Sequence, residues 1–95
     1  MRWMSATMIA SGLLMMAATS PVTAADPGFC RHYANAALNQ VRGGLSLPPC
    51  RHELEGSRWS SDFHVHFDWC LGVSPEEAAA ERNRRTAELE RCRYR

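Results

Sequence analysis

The segment WSSDFHVHFDWCL, residues 59–71, decides the fold class because it fits two secondary structures. As a strand, it alternates apolar and polar residues from Asp62 to Trp69. As a helix, it places five apolar residues on one face: Trp59, Phe63, Phe67, Cys70 and Leu71. The chain offers no second convincing strand, and an isolated strand leaves its backbone N–H and C=O groups unpaired. We therefore predict a helix with Ser60 or Ser61 as its N-cap, and an all-α fold.

Upstream, the segment CRHYANAALNQV, residues 30–41, predicts a first helix. Its apolar side chains recur at the spacing of one helical face: Cys30, Tyr33, Ala34, Ala37, Leu38 and Val41. Asp26 and Pro27 are typical of a helix start, and the Gly43-Gly44 pair is typical of a helix end.

The connection between these two helices, residues 43–58, is long for a small domain. Pro48 and Pro49 argue against a helix across that point, although residues 50–55 can form one helical turn. A disulfide at Cys50 would explain how such a connection stays ordered.

Downstream, the segment SPEE, residues 74–77, has the pattern of a capping box with proline at the first helical position. A third helix is predicted from about Pro75 to Arg93. One side of it carries Ala78, Ala79, Arg82, Thr86, Leu89 and Cys92. Opposite charges three or four residues apart predict three ion pairs along it: Glu81–Arg85, Arg84–Glu88 and Glu88–Arg91.

Each of these segments contains one of four cysteines, which are separated by 20, 20 and 22 positions. Zinc sites use close cysteine pairs, whereas an even number of dispersed cysteines in a small exported chain indicates disulfides. Three antiparallel helices bring Cys30 beside Cys70, and the longer third helix carries Cys92 toward the connection that holds Cys50. We therefore predict a three-helix bundle with Cys30–Cys70 and Cys50–Cys92 disulfides, which leaves no cysteine for catalysis.

Residues 1–25 have the form of a cleaved signal peptide. A single arginine precedes an apolar run at residues 8–18, which is too short to span a bilayer. Small residues then permit cleavage after Ala24 or after Ala25. The prediction is a periplasmic or secreted domain, residues 26–95, with no stable membrane anchor after cleavage.

Part of this domain, residues 30–71, is similar to a pattern found in a family of small exported bacterial four-cysteine proteins. The pattern is C-x2-Y-A-x2-A-x2-Q, a middle cysteine, a tryptophan and H-x2-W-C. It is carried here by Cys30, Tyr33, Ala34, Ala37, Gln40, Cys50, Trp59, His66, Trp69 and Cys70. The family has no assigned activity. The resemblance therefore implies secretion and a disulfide-linked module, and it implies no chemistry.

The charge of the predicted domain argues against nucleic acid as a partner. From residue 26 onward the chain has ten arginines, no lysine and ten acidic residues, whereas nucleic-acid-binding domains usually carry a strong basic excess. In a helix, Trp69 points away from the main apolar face, so it either packs as core against another helix or is exposed as a candidate interface anchor. Arg84, Arg85 and Arg91 are candidate contacts to an envelope protein or an anionic polymer.

A weaker hypothesis is a zinc or copper site in the sequence DFHVHFD, built from Asp62, His64, His66 and Asp68. On a strand, these four side chains would share a face and could hold a divalent metal. On a helix, the two histidines diverge by about 200°. Because we predict a helix, we expect no metal and no cofactor here.

The sequence thus predicts a non-enzymatic binding or structural module of the cell envelope. It contains no C-x-x-C redox pair, nucleophile elbow or phosphate-binding glycine loop. A metal-binding or redox-linked periplasmic protein and an inhibitor of a secreted enzyme remain the alternatives.

Overall fold

A computed structural model describes residues 23–95, and within them the chain forms helices and no strands. The helices are α1 (Pro27–Leu45), α2 (Pro48–Arg51), a 3₁₀ turn (Ser57–Trp59), α3 (Phe63–Leu71) and α4 (Pro75–Arg93). The predicted all-α class is confirmed: three main helices form the bundle, joined by one short additional helix. Most of the predicted signal peptide, residues 1–22, lies outside the described residues.

Helix α1 begins as the sequence predicts, with the Asp26 carboxylate accepting a hydrogen bond from the Phe29 N–H at 2.8 Å. The predicted end is wrong, because the helix continues through Gly43 and Gly44 to Leu45. Gly44 is buried against side chains from two other elements. A Cβ atom there would overlap the Leu54 side chain and lie 2.7 Å from Leu89 Cδ2. This glycine therefore provides close packing rather than a helix stop.

The connection after α1 contains more helix than predicted. Pro48 and Pro49 occupy the first two positions of α2 instead of preventing a helix there. Proline suits these positions because their N–H groups have no partner within a helix. The turn places the buried Cys50 directly beneath α4.

Helix α3 confirms the choice of helix over strand for the ambiguous segment, but it begins later than predicted. Asp62, rather than Ser60 or Ser61, is the N-cap, and its carboxylate accepts from the His64 N–H at 2.9 Å. Trp59 belongs to the preceding 3₁₀ turn. The long helical face predicted for residues 59–71 is therefore divided between two elements.

Helix α4 has the predicted bounds, and the Ser74 hydroxyl accepts from the Glu77 N–H at 3.1 Å. Its buried face differs from the prediction and comprises Ala78, Glu81, Arg85 and Cys92. Arg82 and Thr86, predicted on that side, are exposed. The helix is thus rotated so that charged residues face the bundle.

The predicted disulfides are both confirmed. Cys30 and Cys70 join α1 to α3, and Cys50 and Cys92 join α2 to α4, with Cα–Cα distances of 5.5 and 5.0 Å. All three of the other helices pack against α1. A core cluster surrounds the first disulfide and contains Ala25, Cys30, Tyr33, Cys70 and Ala78.

Candidate functional site

An open cavity of about 480 Å³ lies between α3 and α4, over Tyr33 of α1. We call it the tryptophan groove. It is lined by Tyr33, Ser57, Arg58, Val65, His66, Trp69, Glu81 and Arg85. Its volume lies within the range of about 300–1,000 Å³ that is typical of small-ligand sites.

One wall of the groove is apolar. Val65 and Trp69 stand one helical turn apart on α3 and are 38% and 41% exposed, which is high for such large apolar side chains. The Trp69 ring lies 5.6 Å from the Tyr33 ring, centroid to centroid. The wall therefore offers a flat aromatic surface that is only partly covered by the protein.

Arg85 reaches the groove from α4 and is only 1% exposed. Its Nε donates to Gln40 Oε1 at 2.7 Å, and its Nη1 donates to the Tyr33 hydroxyl at 3.1 Å. The guanidinium carbon also lies 5.1 Å from the centre of the Tyr33 ring. Its Nη2 has no hydrogen-bond partner among residues 23–95. Both groups that bind this buried cation are neutral.

Tyr33 is itself affected by this environment. Burial raises the pKa of its phenol above the ordinary value, and the hydrogen bond from Arg85 opposes that shift. The neutral phenol is therefore favoured and can accept from the guanidinium.

A cluster of ion pairs lies at the edge of the groove. Arg58 pairs with the Glu81 carboxylate and donates through Nη1 to Glu88 Oε1 at 2.8 Å. Arg84 Nη1 lies 3.2 Å from Glu81 Oε2. The hydrogen bond to Glu81 is the main cause of the raised pKa of Arg58. With Arg85, the three arginines exceed the two glutamates by one positive charge.

The residues of the metal hypothesis serve other purposes or lie apart. Asp62 caps α3, and His66 is buried with its Nε2 2.7 Å from the Ser60 carbonyl oxygen, to which it donates. His64 and Asp68 are exposed. No group of three or more potential ligands occurs within the described part of the chain.

The candidate arginines are separated by the fold. Arg85 is buried in the groove, whereas Arg84 and Arg91 are exposed on α4. The ion pair predicted between Glu81 and Arg85 does not form, since Glu81 binds Arg58 and Arg84 instead. Trp69, by contrast, is exposed, so it is not the core residue that the helical interpretation also allowed.

Sequence reasoning missed Arg58, Glu81 and Tyr33 as site residues. A signal for Glu81 was present, because it lies on one helical stripe with Ala78, Arg85 and Cys92. Arg58, in contrast, lies in a connection without periodicity, so its place in the groove depends on the folded chain.

The fold and groove define a small, disulfide-linked α-helical protein that has a partly apolar, partly cationic cleft. No protein-family model, curated protein or solved structure matches the chain significantly. None of the helices within residues 23–95 is long and apolar enough to cross a membrane.

Proposed function

We propose that this protein is an exported, non-enzymatic binding module of the cell envelope, with the tryptophan groove as its binding site. The observation that carries the proposal is the pairing of the exposed Trp69 ring with the buried Arg85 cation in one cavity. Tryptophan and arginine are the side chains most enriched at the energetic centres of binding sites.

Export is supported by the two disulfides, which persist in oxidising compartments. Ala25 supports one of the two predicted cleavage positions. It is 4% exposed, and its backbone N–H donates to the Val73 carbonyl at 2.8 Å, whereas Thr23 and Ala24 are exposed. Cleavage after Ala24 keeps this core residue, and cleavage after Ala25 removes it.

The mass of the protein recovered from the periplasm or medium tests the export proposal. The expected mass is that of residues 25–95 with two disulfides, and reduction should add four hydrogens. A start at Asp26 would contradict the role of Ala25, and retention of residues 1–24 would contradict cleavage.

The proposal of a non-enzymatic module is supported by the bonds that the potentially reactive side chains already make. All four cysteines are in disulfides, and the Glu81 carboxylate is engaged by two guanidinium groups. The excess of positive charge around the groove favours an envelope protein or polymer that presents an anionic group.

Capture from the envelope fraction tests the groove as the binding site. The immobilised oxidised protein should retain a partner that Trp69→Ser fails to retain. Leu45→Ser is the matched control, because Leu45 is 40% exposed on α1 and does not line the groove. Equal retention by wild type and Trp69→Ser would show that binding occurs elsewhere.

A further inference from the structure

We infer that the tryptophan groove binds a carboxylate carried on a flat apolar body, with Arg85 and Arg58 facing the carboxylate and Trp69 facing the body. This inference rests on the proposed function and gives the chemical class of the ligand.

The buried positive charge of Arg85 has no negative partner beside it. Buried charges in proteins are normally paired with an opposite charge. Arg85 is almost fully buried, yet its two hydrogen-bond partners, Gln40 and Tyr33, are neutral. The two acidic residues within one turn of Arg85 on α4 are engaged elsewhere: Glu81 binds Arg58 and Arg84, and Glu88 binds Arg58. A ligand anion in the groove would supply the missing negative charge.

Arg85 also has a hydrogen-bond donor without a partner among residues 23–95. This donor is Nη2, and a buried donor left unpaired destabilises a protein. An acceptor oxygen entering the groove can relieve this cost. A carboxylate suits the position better than a neutral carbonyl, because hydrogen bonds between two charged groups are stronger.

Arg58 lies nearer the solvent than Arg85 does. Its side chain is 36% exposed although it already pairs with Glu81 and Glu88. A guanidinium group carries five N–H donors, so these pairs leave donors for a ligand. Arg58 can therefore contact the carboxylate at the groove entrance.

The apolar wall of the groove indicates the chemistry of the rest of the ligand. Val65 and Trp69 expose apolar surface beside the two arginines, and Trp69 lies against Tyr33. A flat ring placed on Trp69 would cover this surface and gain the stacking that aromatic pairs prefer. The cavity volume, about 480 Å³, accommodates a ligand of one ring with a short acidic arm.

Two sources present this chemistry: a free aromatic acid and the carboxyl-terminal aromatic residue of a polypeptide. N-acetylphenylalanine is a probe for the first, and a tetrapeptide that ends in phenylalanine is a probe for the second. Each has a matched neutral control in which the carboxylate is replaced by an amide.

The experiment is a titration of the oxidised, exported protein followed by ¹⁵N and methyl NMR. Signals of the Trp69 indole and the Val65 methyls should shift saturably with the acid, while the methyls of Leu45, outside the groove, should not. The amide should bind at least about tenfold more weakly, since its neutral carbonyl makes a weaker hydrogen bond to a guanidinium than a carboxylate does. Tighter binding of the tetrapeptide than of the small acid would assign the source to a polypeptide end.

Variants test the two arginines separately. Arg85→Met keeps much of the side-chain volume and should abolish the preference for acid over amide. Because that variant can lose its fold, Arg58→Gln at the groove entrance provides a second test and should weaken acid binding several-fold. Exposed Arg91→Gln is the matched control, since Arg91 does not line the groove.

The outcomes separate the two proposals. Equal binding of acid and amide at Trp69 would overturn the carboxylate and leave the groove as a binding site. Saturable binding that leaves Trp69 and Val65 unshifted would overturn the placement in the groove. No binding of any probe, together with capture of an envelope partner that depends on Trp69, would overturn the ligand class alone. Capture that is independent of Trp69 would overturn the proposed function itself.

Discussion

Helices α1 and α4 have the same length, 19 residues each, and the same kind of start, but they are held in the fold by different interactions. Each begins with proline after a residue whose side chain caps the helix. The buried face of α1 is almost wholly apolar and comprises Cys30, Tyr33, Ala34, Ala37, Leu38, Val41 and Gly44. The buried face of α4 comprises Ala78, Glu81, Arg85 and Cys92.

One disulfide holds each of the two helices. Beyond it, hydrophobic burial stabilises α1, whereas directional polar contacts attach α4. The Gln40 amide joins the two helices. It accepts from Arg85 Nε at 2.7 Å and donates to the Arg82 carbonyl and the Thr86 hydroxyl at 3.1 and 2.9 Å. Such contacts depend on orientation, so they set the rotation of α4 more strictly than an apolar face would. The same rotation brings Glu81 and Arg85 to the groove.

The largest effect should come from removing Cys50–Cys92 by double substitution to serine. Each disulfide closes a loop of about 40 residues, so each loss should destabilise the protein by about 3–4 kcal/mol in chemical denaturation. Amide hydrogen exchange should distinguish the two losses. Without Cys50–Cys92, the C-terminal half of α4 should lose protection before α1 does. Unchanged protection of α4 would show that its polar contacts suffice.

The apolar attachment of α1 is tested by Val41→Ala. Val41 is 1% exposed, and removing two buried methyl groups should reduce the free energy of unfolding by about 2 kcal/mol. The matched control is Val65→Ala, the same change on the partly exposed wall of the groove, which should have a much smaller effect in the same urea titration. Similar losses at both positions would contradict the assignment of the core to α1.

The polar attachment of α4 is tested by Tyr33→Phe, which removes the acceptor of Arg85 Nη1. Loss of a hydrogen bond to a charged group should destabilise the protein by about 1.5 kcal/mol near neutral pH.

The same variant should change the pH dependence of stability. The folded pKa of Tyr33 is raised, so its contribution is present below the ordinary tyrosine pKa of about 10 and is lost as the pH rises through the folded value. Wild type should therefore lose stability above about pH 10 more steeply than Tyr33→Phe. Parallel pH profiles of the two proteins would contradict this.

The smallest effects should come from the two caps, where the helices are alike. Asp26→Ala and Ser74→Ala each remove one hydrogen bond to an N-terminal backbone N–H. Each should reduce the unfolding free energy by about 1 kcal/mol. Asp68→Ala, at an exposed position within α3, is the control. A much larger loss for one cap would show that its helix depends on local capping more than its partner does.

Only part of the candidate site could be predicted from the sequence. The helical spacing placed Trp69 away from the apolar face but left open whether it is buried or exposed, and the structure shows that it is exposed. The spacing also offered Arg85 as a candidate contact, but on the solvent side of α4. Its burial depends on Gln40 and Tyr33, which lie 45 and 52 residues earlier in the chain. Local pattern does not report such distant partners.

The sequence by itself determined the three main helices, the start of α1 and both ends of α4, and the lengths of those helices predicted the pairing of the cysteines. These features depend on caps, periodicity and segment length, all of which act over a few residues. Only the tertiary structure decided that α1 runs through Gly43-Gly44, that α4 turns Glu81 and Arg85 inward, and that Arg58 lines the groove. Each of these depends on how closely separate segments approach, because burial and ion pairing belong to the assembled bundle rather than to any one helix.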